Sequence, residues 1–309
     1  MSFAELQTVL ELGLICSLTV LALFLSYSML NVCDLSTDGC FTLGATMGAM
    51  VAAAGHPFLS LSAAMLAGVA CGFVVALLQT KLGINSLLAG IIVNTGLYSV
   101  NIAIMSGAAR INLTKTPTVF SMVKSVLAGT PLAGWHITVV AGTAVILAVV
   151  LLTLFLNTRL GLAIRATGNN PDMVRSSSIN PAFTTIVGLC VANALTGLSG
   201  CLMAQAQQST EINIGSGMVT IALASLLIGG TLLGRGGIFT RAVGMVLGAF
   251  LFRLVYAVAL RLDMPAFMLK LVSAIIVALA LALPYLKSQW PVISRRLSYK
   301  KALAGKEGK

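Results

Sequence analysis

Residues 137–156 read ITVVAGTAVILAVVLLTLFL. The run contains no charge, no amide and no proline, with Trp135 standing just before it and Arg159 just after. A helix of this length measures about 30 Å, which is the thickness of a bilayer's hydrocarbon core. It offers no polar face to water, as a helix on the surface of a soluble domain would. The stretch reads as a membrane-spanning helix, and Trp135 as its interfacial anchor.

Working outward, similar apolar segments recur along the whole chain. They run from about Leu12 to Leu30, Phe41 to Ala54, Leu59 to Leu78, Ile84 to Met105, Ala182 to Ala206, Met218 to Leu233, Ile238 to Leu260 and Ala266 to Leu286. The 309 residues are 58% hydrophobic and only 9% charged, with a mean hydropathy of +1.01. A soluble domain carries about 25% charged residues. No soluble domain of ordinary size remains once the apolar runs are removed. The expected fold is all-α, a polytopic membrane helix bundle of about 8–10 transmembrane helices including broken or half helices. It fills residues 1–286, with a basic tail at 287–309. Phe41 to Ala54 is short for a crossing and is the expected half-helix. Glu5 and Glu11 precede the first run without a basic residue, which is poor for a signal peptide, so the first span is expected to be retained.

The net charge is +11, and its placement orients the chain. Lys287, Arg295, Arg296, Lys300, Lys301, Lys306 and Lys309 all follow Pro284, and Arg159, Arg165 and Arg175 share one loop. Short basic loops resist translocation, so the tail is placed in the cytoplasm. Counting back puts Arg241, Arg235, the 157–181 loop and Lys81 on that side too. Glu211 and Trp135 fall outside, and the side of the N-terminus depends on whether Phe41 to Ala54 crosses fully. Juxtamembrane basic clusters meet anionic lipid headgroups, and no nucleic acid is expected. The cysteines (16, 33, 40, 71, 190 and 201) form no C-x-x-C pair, and His56 and His136 stand apart at span ends. No metal site is expected.

Within the 157–181 loop, Asn169 or Asn170 can cap a helix whose first residue is Pro171. Asp172 suits the positive helix end, and Pro181 is expected to stop the helix after about two turns. On the residues alone, an idle surface helix with snorkelling arginines remains an open reading. Polar residues inside apolar spans, namely Asn94, Thr95, Asn101, Asn193, Thr196 and Gln205, mark a candidate solute path. Interhelical bonding, at roughly 0.6 kcal/mol per bond, is the other reading. Asp34 and Asp38 precede the short glycine-rich helix and are placed as its caps.

No acidic residue lies deep in an apolar span, which speaks against the rival class of ion-coupled secondary transporter or channel. No G-x-x-x-x-G-K-[ST] phosphate loop is present, and Gly234-Arg-Gly-Gly237 reads as a turn. No His/Asp/Glu constellation suggests an enzyme.

The phrase Gly161-x-x-x-Arg165-Ala-x-Gly168-Asn169-Asn170-Pro171-Asp172-x-x-Arg175-x-x-x-Ile179-Asn180 strongly resembles the cytoplasmic loop of permeases of the branched-chain amino acid and ribose importers. Ala194-Leu-Thr-Gly197, Gly215-x-Gly217 and Gly229-Gly230 fit the same family. Asp34-Leu-Ser-Thr-Asp38-Gly39 followed by Gly44-Ala45 resembles a subgroup linked to aromatic amino acids, departing from it at Cys40, where a serine is usual. The resemblance implies the membrane-spanning permease subunit of an ABC importer in a bacterial inner membrane. It implies a second permease copy, an extracytoplasmic binding protein, and a cytoplasmic ATPase dimer that holds ATP and Mg; this chain binds no cofactor. Pro171 to Ser178 would be the coupling helix, with Arg165, Gly168, Asn169, Pro171, Asp172, Arg175, Ile179 and Asn180 as coupling residues.

Overall fold

The computed structural model describes residues 3–128, 133–234 and 236–261, with isolated positions between 271 and 282. The expected ninth span and the basic tail lie outside these segments, as does the turn residue Arg235. Eleven α-helices and one small sheet are described: α1 Phe3–Leu23, α2 Thr37–Ala53, α3 Pro57–Thr80, α4 Ser86–Ile104, β1 Arg110–Asn112, α5 Val119–Val126, α6 His136–Asn157, α7 Arg159–Asn169, α8 Pro171–Ser176, α9 Pro181–Ala206, β2 Ser209–Glu211, α10 Met218–Leu233 and α11 Ile238–Arg261. Strands β1 and β2 pair antiparallel, with Arg110 opposite Glu211.

Among the described residues, six helices are long and apolar enough to cross a membrane: Ala4–Met29, which is α1 continued through the π-turn Phe24–Met29, then α3, α4, α6, α9 and Ile238–Ala259 of α11. The chain is an all-α polytopic bundle. The first helix starts earlier than its apolar run does, because its polar end is satisfied by neighbours. Gln7 Nε2 donates to Glu11 Oε1 at 3.0 Å and to the Gly134 carbonyl at 2.7 Å. Thr138 Oγ1 donates to the same Glu11 oxygen at 3.1 Å.

The Ala4–Met29 and α9 spans are 72% buried, against 22% for α4 and 33% for α3 and α6. The first two therefore form the interior, and α3, α4 and α6 the flanks. The short α2 packs against both α3 and α9, which also pack directly on each other, and this needs close backbone approach. A Cβ at Gly44 would overlap the Gly197 carbonyl, and one at Gly200 would overlap the Phe41 carbonyl. Small residues at such crossings let helices gain dispersion contact where lipid supplies no hydrophobic drive.

These contacts also set depth. Asn193 stands about 18 Å along α9, which measures about 39 Å at 1.5 Å per residue. Asp34 bonds to Asn193, so α2 begins near mid-depth and runs beside α9 towards Ala206. Asp38 bonds to the first turn of α10, so α10 begins at the same level. It runs the opposite way, towards α11, whose Arg241 donates to Ser28 near the far end of the first span. The expected half-helix is present, and a second one, α10, faces it head to head.

This arrangement resolves the N-terminal side relative to the rest. The first span begins beside Gly134 and ends beside Gly168. Residues 30–36 then carry the chain back to mid-depth, and α2 completes the crossing. The N-terminus shares a face with Trp135 and Glu211, while Lys81, Arg165, Arg175 and Arg241 share the other.

Replacing Gly44 with valine should push α2 off α9 and lower stability by about 1–3 kcal/mol, as overpacking does. Thermal unfolding of the detergent-purified protein checks this. Gly96→Ala, at a position with no heavy atom within 4 Å of an added Cβ, is the control and should melt like the parent.

Candidate functional site

The break between the first span and α2, together with the first turn of α2, supplies two carboxylates, Asp34 and Asp38. Asp34 is 2% exposed. Its Oδ1 accepts from the Ser36 backbone N–H at 2.9 Å and from Ser36 Oγ at 2.6 Å. Its Oδ2 accepts from Asn193 Nδ2 at 2.7 Å. A buried carboxylate persists only when its oxygens are satisfied in this way. The expectation concerned apolar spans, and it did not foresee a buried carboxylate in the break between two of them. Asp34 sits in a polar break rather than an apolar span, and the fold draws that break inward.

The capping role expected for Asp34 and Asp38 is corrected. The N-cap of α2 is Ser36, and its side chain makes no capping bond. Asp34 instead holds Ser36 from outside the helix. Asp38 caps a different helix: Oδ2 accepts from Gly217 N–H at 2.9 Å and Oδ1 from Val219 N–H at 2.8 Å. Gly217, the N-cap of α10, has φ +89° and no side chain with which to cap itself. Asp38 provides the cap from across the bundle.

Beside this junction lies a cavity of about 220 Å³ between α2, α4 and the 212–216 loop. Asp38, Thr42, Asn94, Thr95, Tyr98 and Asn101 line it, with Asn213 from the loop. Asn101 is 1% exposed. Its Nδ2 donates to the Gly39 carbonyl at 3.3 Å, and its Oδ1 has no partner among the described residues.

Three of the six residues read as a solute path, Asn94, Thr95 and Asn101, thus meet at one cavity. The other three are each 1% exposed and serve the packing of α9. Asn193 holds Asp34, and Thr196 donates to the Ala192 carbonyl at 3.3 Å. Gln205 donates to Ser60 Oγ at 2.7 Å and accepts from Val119 N–H at 2.9 Å, tying α9 to α3 and α5. Sequence reasoning missed Thr42, Tyr98 and Asn213. The Gly215-x-Gly217 spacing ahead of a short apolar helix was the available signal for the loop.

A second feature is the elbow on the basic face. Thr158 caps α7 by accepting from Gly161 N–H at 3.2 Å. Ala163, Ile164 and Thr167 of α7 are buried, and Thr167 Oγ1 lies 2.8 Å from Thr184 Oγ1 of α9. The cap of α8 is Asn170, whose Oδ1 accepts from Asp172 and Met173 N–H, both at 3.1 Å. Asn169 is the last residue of α7. The expected stop at Pro181 is corrected: α8 ends at Ser176, Ser178 takes φ +61°, and Pro181 opens α9 behind the Asn180 cap. A proline at the first helical position loses no hydrogen bond, so it starts a helix as readily as it ends one.

On α8, Val174 is buried while Met173 is 67% exposed. Asp172 and Arg175 form an exposed pair at 3.8 Å, which contributes little stability. Ile179 is exposed. Gly168 faces inward, where a Cβ would overlap the Met29 carbonyl, and Arg165 is half-buried. Among the described residues no group of three or more His, Cys, Asp or Glu side chains is placed to hold a metal.

Residues 6–283 match the family model described as branched-chain amino acid transport system / permease component. The chain belongs to that family. This permease is 33% identical over 276 residues to the tyrosine transport system permease protein of Clostridioides difficile, covering 89% of this chain and 90% of that one. It is 34% identical over 224 residues to an uncharacterised protein of Rickettsia prowazekii, covering 72% and 76%. A shorter match of 103 residues, 33% identical, is to the D-allose transport system permease protein AlsC of Escherichia coli, covering 33% and 32%. No solved structure matches the permease.

Asp34→Leu should leave one Asn193 Nδ2–H (the other keeps the Leu189 carbonyl at 3.2 Å) and the Ser36 N–H unpaired in the membrane interior, at a cost of about 1–3 kcal/mol for each. Thermal melting of Asp34→Leu, Asn193→Leu and the double variant forms a cycle. The double variant should lose clearly less than the sum of the two single losses.

Proposed function

We propose that this permease is the membrane-spanning subunit of a bacterial ABC importer and carries a small zwitterionic solute, an amino acid and by preference an aromatic one. The observation that carries the reading is the polar cavity beside Asp38. It is a hydrophilic space beside the point where two half-helices meet at mid-depth. Discontinuous helices with polar backbone at that depth are how transporters build a solute path. The tyrosine permease relative supports the aromatic preference.

The chain works as one of two permease copies, a homodimer in the simplest assembly, in the inner membrane with its basic face in the cytoplasm. A soluble binding protein delivers solute on the Trp135 face. A cytoplasmic ATPase dimer, which holds ATP and Mg, docks on the elbow and drives access from one side to the other. The elbow suits docking because α8 shows Met173, Asp172 and Arg175 outward while Val174 anchors it. Asn180 and Ile179 are exposed at its rear. Gly168 and Arg165 belong to its mounting.

Asp34, a carboxylate at mid-depth, is the one observation that favours an ion-coupled transporter. Against it, both oxygens are already occupied by Ser36 and Asn193, and transport would need to break that network.

Reconstituted alone in liposomes, the permease should show no concentrative uptake of radiolabelled tyrosine or tryptophan under a proton or sodium gradient. Adding its ATPase, ATP and binding protein should restore accumulation. Gradient-driven accumulation by the permease alone would overturn the importer reading.

Met173→Asp or Arg175→Glu should leave insertion and melting unchanged while lowering solute-stimulated ATPase activity about tenfold or more, the loss expected from a charge misplaced at an interface. ATP hydrolysis and uptake measured side by side check this. Full transport with both variants would return α8 to the status of an idle surface helix.

A further inference from the structure

We propose that Arg253 of α11 is a binding site for a carboxylate in the middle of the bilayer, the α-carboxyl group of the solute. This deepens the import reading and rests on it for the identity of the solute. The case starts from depth. Arg253 Nη2 donates to Cys16 Sγ at 2.8 Å, and Cys16 stands about 18 Å along a first span that measures about 39 Å. The guanidinium is therefore held midway between the two faces. Gly248 of α11 lies against the Ser225 carbonyl of α10, and the two helices run in opposite directions. Five residues beyond Gly248, Arg253 is level with Thr220 in the first turn of α10. That is the level of the polar junction.

A guanidinium keeps its proton in proteins and carries five N–H donors. Among the described residues, the partners of Arg253 are the Cys16 thiol, a weak acceptor, and the Tyr256 ring, whose centroid is 5.9 Å from Cζ. Its Nε is buried and has no hydrogen-bond partner. No carboxylate pairs with it: the one ion pair among the described residues joins Arg175 to Asp172. One turn from Cys16 on the same side of α1, the buried Thr19 hydroxyl also lacks a partner. Arg241, twelve residues earlier on α11, stands near the basic face and donates to Ser28 Oγ at 2.8 Å. It has water and headgroups within reach, and Arg253 does not.

An arginine at this depth is costly unless it is paired or faces water. A carboxylate supplies what is missing, a negative charge and two oxygens in a plane that matches the guanidinium fork. A phospholipid phosphate lies about 15 Å away on either side, at the edge of the hydrocarbon core. A zwitterionic solute crossing at the level of the junction brings its own carboxylate to Arg253.

The test uses the full-length permease in nanodiscs. Thermal melting is followed with excess 3-(4-hydroxyphenyl)propionate, which has the carboxylate without the amine, and with excess tyramine, which has the amine without the carboxylate. The propionate should raise the melting temperature by about 2–4 °C, and tyramine should not. Arg253→Met, an apolar side chain of similar reach, should melt no lower than the parent and respond to neither compound. Arg253→Lys, a point charge without the fork, should keep a smaller propionate shift. In the assembled transporter, Arg253→Met should raise the KM for tyrosine about tenfold or more, the loss expected for hydrogen bonds to a charged group. Arg253→Lys should recover part of it.

The contrast between the two compounds in the parent needs no variant and decides first. No propionate shift, or an equal tyramine shift, would overturn the site. So would equal propionate shifts in the parent and Arg253→Met. A lower melting temperature or dimer fraction in Arg253→Met, with no propionate shift in the parent, would make Arg253 a packing or subunit contact instead. An Arg253-dependent propionate shift without ATP-dependent tyrosine or tryptophan uptake would keep the carboxylate site and sink the aromatic amino acid reading. ATP-dependent uptake with an unchanged KM in Arg253→Met would keep the import reading and sink the site.

Discussion

A helix that begins inside a bilayer leaves its first N–H groups with no water to bond. Each unsatisfied group in hydrocarbon costs several kcal/mol. In this permease that problem arises twice at one level, at the starts of α2 and α10. The break of residues 31–38 contributes to both solutions. Asp34 fixes the approach to α2 through Ser36, and Asp38 bonds the first turn of α10. Hydrogen bonds to a charged group are worth about 1.5–3 kcal/mol each, enough to hold two helix ends at mid-depth. The cavity lies beside these ends, between α2, α4 and the 212–216 loop.

The rest of the bundle keeps this junction in place. Asn193 sits where α9 passes Asp34, and it can do so because glycines let α2 and α3 lie backbone to backbone against α9. Gly44 and Gly200 remove the Cβ atoms that would otherwise keep α2 from Asn193's neighbourhood. Asn193 and Gln205, each 1% exposed and bonded to other elements, act as fasteners. The less buried Asn94 and Thr95 are left to face open space. Partners rather than burial separate the two roles, since Asn101 is as buried as Asn193 and yet lines the cavity.

On the basic face, packing connects the elbow to this core. Gly168 presses against the carbonyl at Met29, where the first span ends in its π-turn, and Thr167 meets Thr184 at the start of α9. A push on α8 therefore reaches the first span and α9 through direct contacts, and α9 carries Asn193. The two ends of this chain of contacts are the exposed face of α8 and the polar junction.

The sequence by itself determined the class of the molecule. Uninterrupted apolar runs about 20 residues long can only be buried by lipid or by one another, and the clustering of Lys and Arg fixed which loops share a face. It also marked the helix with the Pro171 start, because a side-chain cap and a proline at the first position act within a few residues of each other. Tertiary structure decided whatever depends on partners far apart in the chain. Asp38 reads locally as a cap for the helix that contains it, yet it bonds residues some 180 positions away. Asp34 reads as a second cap for the same helix, yet it bonds Asn193 of α9 at mid-depth. Pro181 reads as a stop and serves as a start, because the bend at Ser178 ends α8 first. Capping and burial in these cases are set by which helix ends meet in space, and that follows from the glycine contacts of α2, α3 and α9 rather than from any local spacing.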